Sequence, residues 1–286
     1  QLLFPTSEER KYKLGKYNPK TKALFGFTYS DRPEYRRRIS TLSGTYTWQN
    51  KRTHQYSLTL LNLNIIYTLF LSNYFKQELI EQENNGNFSL VNYFNPSFVS
   101  SVIFGITWNK NYFGTFDQNS SWIRAQIEPG GSIWNIVDPT FINNAGLQYY
   151  KYIRLTLDIR KNKVLSKTTT LAFHFNSGVG YGYAANKSMP YEKLFFAGGS
   201  NSVRAWRPRR LGPGSFKPNL DDNPQGNGLF DYSIEKPADI LLEGSIELRQ
   251  KFFGFVSGAV FLDAGNVWTF SKLEKKDDQD NVLKRN

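Results

Sequence analysis

The feature that most constrains the fold is a period of two in hydrophobicity that recurs along the chain. Residues 152–160, YIRLTLDIR, alternate between apolar and polar side chains without a break. Such alternation is typical of β-strands with two different faces. About nine strands are predicted, with no convincing amphipathic helix between them, near residues 23–30, 41–48, 56–67, 98–108, 122–128, 152–160, 171–176, 242–249 and 256–263.

Alternation alone does not separate a soluble β-sheet from a transmembrane barrel, whose apolar face contacts lipid and whose polar face lines the lumen. Several runs reach about nine residues, the length that crosses a bilayer when the strand is tilted. The polar faces carry full charges, such as Arg154 and Asp158. Aromatic residues lie near strand ends, as interfacial belts require: Tyr29, Trp48, Trp108, Trp122, Tyr149, Tyr150 and Trp268. The fold class predicted is therefore all-β, an antiparallel transmembrane β-barrel.

The predicted barrel is incomplete. Single-chain bacterial barrels use an even number of strands and leave no open edge in lipid. Residues 271–286, SKLEKKDDQDNVLKRN, are too charged for a closing strand. We therefore expect residues 1–286 to be one incomplete C-terminal barrel domain, with closing strands encoded elsewhere.

Several kinds of chemistry are disfavoured by the residues themselves. The 286 residues contain no cysteine and only two distant histidines, His54 and His174, so neither a thiolate nor a histidine metal site is expected. Residues 221–232 imitate a calcium loop but carry Tyr232 where a bidentate Glu is needed. Neither a P-loop nor a persuasive Ser–His–acid grouping is present. We expect no metal, no cofactor and no enzyme activity.

The net charge of +12 raises the possibility of nucleic-acid binding. The densest cations are Arg36, Arg37 and Arg38, with Lys51 and Arg52. They follow turns and polar faces instead of forming one basic helix, so we expect no nucleic-acid partner. Anionic lipid head groups or solvent explain them more simply.

A basic loop stands out at residues 195–215, FFAGGSNSVRAWRPRRLGPGS. Such a loop is commonly a solvated surface segment. However, Glu247 and Asp263 lie on polar strand faces, and a guanidinium folded into a lumen could pair with both, since Arg presents a planar fork that suits carboxylates. We predict that a loop of about residues 186–238 enters the lumen and that Arg204 pairs with these two acids, whereas Arg209 on the flank matters little.

Three segments, FFAGGSNSVRAW, SIELR and VFLDAGNVW, occur in an order that resembles the barrel of the BamA/TamA superfamily of outer-membrane assembly factors. The resemblance matches Gly198 and Gly199 to a glycine pair, and Val203 and Arg204 to the start of the loop signature. Ala205 stands where Gly is usual and Trp206 takes the aromatic position. Glu247 and Asp263 match the inward carboxylates. The form RAWRPRRLGPGS favours a TamA-like branch.

The resemblance implies a barrel of sixteen strands, of which this chain holds roughly the fifth to the thirteenth, with periplasmic domains before the barrel. It implies a Gram-negative outer-membrane protein that assembles or translocates clients without nucleotide. Expected partners are nascent outer-membrane β-barrel proteins, outer-membrane lipid, and accessory periplasmic or lipoprotein subunits. The alternatives are a secretion pore of the same superfamily, an ordinary porin, and a lipid-acting enzyme whose active site lies upstream.

Overall fold

A computed structural model describes residues 12, 15–32, 35–73, 75–77, 80, 94–111, 119–131, 140–183, 189–214 and 235–270. Within them one sheet of ten strands is formed by β1 (Lys20–Asp31), β2 (Tyr35–Lys51), β3 (His54–Leu71), β4 (Ser97–Asn109), β5 (Ser120–Gly130), β6 (Gln148–Tyr149), β7 (Tyr152–Val164), β8 (Thr169–Gly182), β9 (Ile240–Phe253) and β10 (Val256–Trp268).

The sheet is an antiparallel meander. The strand order is β1-β2-β3-β4-β5-β7-β8-β9-β10, so that each long strand pairs with its long neighbour along the chain, and the two-residue β6 pairs parallel with β4. Among the described residues, β1 pairs only with β2 and β10 only with β9. The prediction of about nine long strands in an unclosed, all-β barrel sheet is confirmed.

Helical structure is sparse in the described ranges. It includes α1 (Thr140–Asn144) and a single 3₁₀ turn at Tyr191–Lys193. No helix in the described part of the chain is long and apolar enough to cross a membrane.

The two ends of the sheet differ. At one end lie the start of β1 and the connections β2–β3, β4–β5, β7–β8 and β9–β10. We call its described residues, 15–22, 51–54, 109–111, 161–169 and 250–257, the short-turn rim. Backbone hydrogen bonds join neighbouring tips, from Asn109 N to Thr53 O (2.8 Å) and from Lys251 N to Thr168 O (2.8 Å). The opposite end, the long-loop rim, carries the connections β1–β2, β3–β4, β5–β7 and β8–β9.

The apolar face of the sheet points outward and is exposed. Phe25 is 78% exposed, Val260 77% and Leu262 71%. A soluble sandwich would bury this face against a second layer, and no described element covers it. The opposite, inner face carries charged side chains such as Glu128 and Glu243, both buried. The sheet is therefore arranged inside out, as predicted for a membrane barrel.

Buried apolar residues cluster on the inner face, where residues 189–214 pack against the sheet. One cluster contains Ile66, Phe75, Phe94, Val99, Tyr150, Tyr152, Met189 and Leu194. The other contains Phe195, Ala197, Val203, Leu211, Ala238, Leu241 and Val267. Tyr150 was expected in an interfacial belt, and that expectation is wrong, because its ring is buried in the first cluster.

Candidate functional site: an arginine of the loop on the inner face

The loop backbone turns sharply before its tip. Gly198 has φ +98° and Gly199 has φ +106°, values that L side chains rarely adopt. A Cβ on Gly198 would lie 2.5 Å from the carbonyl oxygen of Arg207. The turn is closed by hydrogen bonds from Gly199 N to Trp206 O (3.0 Å) and from Gly198 N to Ser202 Oγ (2.9 Å). Glycine is therefore required where the chain folds back on itself.

Arg204, just beyond this turn, contacts Asp263 on β10 through three hydrogen bonds. Its Nε donates to Oδ2 at 2.7 Å and its Nη2 donates to Oδ1 at 2.8 Å, so the guanidinium grips both carboxylate oxygens. The backbone N of Arg204 also donates to Oδ2, at 3.1 Å. One carboxylate thus fixes both the side chain and the main chain of the loop tip.

The remaining nitrogen of the guanidinium reaches β9. Arg204 Nη1 donates to Glu247 Oε2 at 2.6 Å, and Arg249 Nε donates to the other oxygen of Glu247 at 2.7 Å. The Arg204 guanidinium also lies 3.4 Å from the centre of the Phe261 ring. The hydrogen bonds to Asp263 and then to Glu247 raise the pKa of Arg204 above its ordinary value. We call Arg204, Glu247, Asp263 and Phe261 the arginine lock.

The other residues of the predicted loop motif take different positions. Val203 is buried in the apolar cluster beside the lock, whereas Ala205 and Trp206 are exposed. Ala205 has no positive φ, so alanine fits where the resemblance would place glycine. Gly198, Gly199, Val203 and Arg204 therefore shape and anchor the tip, whereas Ala205 and Trp206 are exposed.

A second contact between the loop and β9 is made at Glu243, four residues before Glu247. Ser202 Oγ donates a hydrogen bond to Glu243 Oε2, and Asn176 Nδ2 on β8 donates to Glu243 Oε1 at 2.9 Å. Glu243 is buried, so these donors satisfy a carboxylate that would otherwise be costly to enclose. The loop tip is thus held by three acids of the inner face.

The base of the loop is anchored to a different strand of the same inner face, β5. Lys193 Nζ lies 2.5 Å from Glu128 Oε1 on β5, and Glu128 is only 4% exposed. Ser101 Oγ (2.7 Å) and Tyr152 Oη (3.0 Å) donate to the same oxygen, and Arg154 Nη1 lies 3.8 Å from Oε2. This buried carboxylate therefore gathers donors from β4, β7 and the loop.

A neighbouring ion pair reaches β2. Arg37 Nη2 lies 2.7 Å from Glu192 Oε1, and its guanidinium stacks near the rings of Phe94 and Tyr191. Arg37 is buried. Arg36 pairs with Asp31 at 2.9 Å. Two arginines of the cluster weighed for nucleic acid are therefore engaged within the protein.

Arg209, which we expect to matter little, also contacts the loop, through an ion pair in which its own side chain is half exposed. Arg209 Nη1 lies 3.2 Å from Glu235 Oε2, and its guanidinium stacks 4.7 Å from the centre of the Phe196 ring. Glu235 also accepts from Tyr191 Oη and from Arg32 Nη1 (3.4 Å). Burial raises the pKa of Glu235, but these donors outweigh it and hold the pKa below its ordinary value.

Sequence reasoning thus found the lock but missed the anchors at Glu128, Lys193, Glu192, Glu243 and Glu235. A signal existed for Glu243, which lies four residues before Glu247 on the same polar face. The pair Glu128–Lys193 had no such signal in the sequence, because 65 positions separate the two residues (193 − 128) and only the fold brings them together.

No group of three or more His, Asp or Glu side chains that could hold a metal ion occurs in the described ranges. The calcium-like segment, residues 221–232, lies outside the described residues, as do parts of the predicted loop, 186–188 and 215–234.

Two comparisons bear on the family. Residues 8–285 match the model of the Omp85 superfamily domain. The fold is similar to a crystal structure of BamA from Haemophilus ducreyi lacking POTRA domains 1–3, with a TM-score of 0.58 and 15% sequence identity. The match covers 88% of this chain and 46% of that chain, so this chain spans less than half of that relative's length. The likeness in structure is one of fold alone. The family match extends over nearly the whole chain, and the chain belongs to the Omp85 superfamily, whose BamA/TamA-type members are outer-membrane β-barrels that assemble or translocate proteins.

Proposed function

We propose that this chain forms part of the β-barrel of an outer-membrane assembly factor. This factor inserts client β-barrel proteins into the outer membrane without nucleotide and without enzyme activity. Family membership and the likeness to a BamA barrel support this proposal. Its direct clients would be nascent outer-membrane β-barrel proteins, with accessory periplasmic or lipoprotein subunits as further partners.

The observation that carries the proposal is the anchored loop. A loop of the long-loop rim lies against the inner face and is held by Arg204 on Asp263 and Glu247, and by Lys193 on Glu128. An ordinary porin needs an open aqueous path along its inner face. A loop held by charged contacts at both its base and its tip favours a barrel whose interior is occupied.

The chemistry of insertion follows from the exposed apolar face. In lipid, every backbone N–H and C=O of a client strand must be paired. A client strand that adds to an opened sheet edge by β-augmentation satisfies these groups while its apolar side chains enter the bilayer. In this mechanism the anchored loop keeps the interior ordered while an edge opens, and the outward side chains of the described strands contact lipid.

The test uses the full-length protein reconstituted in lipid vesicles, with an unfolded outer-membrane β-barrel protein as client. Client folding is followed by its heat-modifiable mobility on gels. The proposal expects faster client folding with the wild-type protein than with empty vesicles or with the Arg204→Ala variant. Equal folding rates in all three samples, or large steady ion currents in planar bilayers, would reject an assembly factor. Export of one dedicated partner with no effect on client folding would instead identify a secretion pore.

A further inference from the structure

The short-turn rim has an unusual charge balance. Its described residues include ten cations and no Asp or Glu: Lys16, Lys20, Lys22, Lys51, Arg52, Lys110, Lys161, Lys163, Lys167 and Lys251. All ten side chains are exposed, and none forms an ion pair with another described residue. So many like charges on one edge repel each other unless an anionic partner is present.

The long-loop rim is balanced differently. Several of its arginines meet acids of the same chain, as in the pairs Arg36–Asp31, Arg37–Glu192 and Arg209–Glu235. The short-turn rim therefore differs from the long-loop rim in that its described residues include no acid that could pair with the cations.

Two of the ten cations lie on the outward, apolar face. Lys161 pairs across the sheet with Phe173, and Lys163 pairs with Leu171. Because side chains at paired positions share a face, both lysines continue the exposed apolar row of β7 and β8 toward the rim. A long aliphatic stem can lie along apolar surface while its ammonium group reaches the polar layer beyond.

Exposed apolar side chains lie beside the cations in the connections of the short-turn rim. In the β9–β10 turn, Phe253 is 75% exposed and Phe255 99%, shortly after Lys251. Leu165, also exposed, lies between Lys163 and Lys167. Apolar tips beside lysines are the pattern of a surface that enters the interface of a bilayer, where the apolar groups reach acyl chains and the cations meet phosphates.

An aromatic pocket of about 410 Å³ lies at the same rim. It is lined by Tyr17, Trp48, Asn50, Tyr56 and Phe104. The Trp48 ring stacks with Tyr56 at 5.6 Å between centroids, and Lys16 Nζ lies 4.9 Å from the centre of the Tyr17 ring. The pocket is thus lined mainly by aromatic side chains, and the ammonium group of Lys16 lies at its edge.

We propose that the short-turn rim binds the head groups of anionic phospholipids in the membrane leaflet on that side, so that this rim has a preferred lipid class and not merely a lipid-compatible surface. The exposed tips favour lipid over an acidic protein, because a purely electrostatic protein contact gives no reason for bare Phe253 and Phe255. The inference rests on the membrane placement in the proposed function.

The test measures lipid selectivity in the full-length protein embedded in phosphatidylcholine vesicles. Spin-labelled phosphatidylglycerol and spin-labelled phosphatidylcholine are compared by electron paramagnetic resonance for association with the protein perimeter. The expected result is a preference of about fivefold for phosphatidylglycerol, which falls as salt screens the contacts. The triple variant Lys161→Gln, Lys163→Gln and Lys167→Gln should lose most of this preference.

A matched triple variant of the long-loop rim, Lys76→Gln, Lys151→Gln and Arg38→Gln, removes the same charge and should keep the preference. Both variants are first checked for heat-modifiable gel mobility, which reports a folded barrel. An unchanged preference in the first variant, or an equal loss in both, overturns the inference. Client folding is measured separately. If the protein folds clients but shows no preference for phosphatidylglycerol, only the inference is refuted. If it shows the preference but does not fold clients, only the proposed function is refuted.

Discussion

Arg204 and Asp263 are joined by three hydrogen bonds, two from the guanidinium and one from the backbone N of Arg204. Asp263 is almost fully buried, while the guanidinium stays partly open to solvent. Of the three acids that hold the loop tip, Asp263 therefore contacts both its side chain and its backbone.

Replacing Arg204 tests whether the fork geometry matters beyond the charge. Lysine keeps the positive charge but cannot hold both oxygens of Asp263 and reach Glu247 at the same time. We expect Arg204→Lys and Arg204→Ala each to slow client folding by about tenfold, equivalent to about 1.4 kcal/mol. The control is Arg160→Ala, which removes an exposed inner-face arginine paired with Asp158. If the Arg204→Lys variant folds the client at the wild-type rate, the planar geometry of the guanidinium is not required for client folding.

The buried pair Glu128–Lys193 should be strongly coupled. Glu128→Gln leaves the largely buried ammonium of Lys193 without its carboxylate, and Lys193→Met leaves Glu128 with only the longer ion contact to Arg154. Breaking a buried ion pair typically costs about 3–5 kcal/mol. The double variant removes both charges, so its loss of unfolding free energy should be smaller than the sum of the two by about 0.5–3 kcal/mol. Urea unfolding of the reconstituted protein measures this cycle.

The exposed pair Arg160–Asp158 provides the reference cycle, since exposed pairs couple by only about 0.2–1 kcal/mol. Additive losses for Glu128→Gln and Lys193→Met would mean that the base of the loop is not anchored through this pair.

Gly198→Ala should loosen the loop through backbone strain. Its φ of +98° and the 2.5 Å approach of a Cβ to Arg207 O leave no room for a methyl group. Strain of this kind costs on the order of 1–3 kcal/mol, and faster cleavage within residues 200–210 by trypsin should report it. Gly44→Ala is the matched control, because its Cβ would meet only Leu61 at an ordinary 4.0 Å. Equal cleavage of the two variants would speak against the strained turn.

Acidification should release the anchor at Glu235. The pKa of its carboxyl group lies below the ordinary value of 4.5, despite burial, because Tyr191 and Arg209 donate to it. The stabilisation is therefore complete above pH 4.5 and is lost as the pH falls further, through the lowered pKa. A spin label on the exposed loop position in a Ser200→Cys variant should become more mobile in that range. In Glu235→Gln the label should be mobile already at neutral pH, and a label with identical pH dependence in both proteins would argue against the anchor.

The sequence predicted the nine long strands because alternation survives wherever one face is apolar and the other polar, as in β7. It underestimated β2 and β3, which span 17 and 18 residues. Register shifts opposite Arg36/Arg37 and Gly44/Thr45 leave Leu69 and Leu60 as extra residues in β3, and each extra residue inverts the alternation of β3 beyond it. Alternation therefore predicts the positions of strands more reliably than it predicts their lengths.

The site was predictable only in part. Arg204, Glu247 and Asp263 were linked because the two acids lie on polar strand faces and the loop signature resembles a known family. Glu128 and Lys193 escaped notice because nothing local distinguishes a buried acid from an exposed one. The contact of Arg209 was not predicted, because its partner, Glu235, follows after a long intervening segment.

The central claim is the contact between Arg204 and Asp263, and solid-state NMR of the full-length protein in lipid vesicles can measure it directly. With arginine side-chain nitrogens and aspartate carboxyl carbons labelled, we expect a strong nitrogen–carbon dipolar coupling that is present in the wild type and absent in the Asp263→Ala variant. A wild-type spectrum without that coupling, or one that the variant leaves unchanged, would contradict the arginine lock.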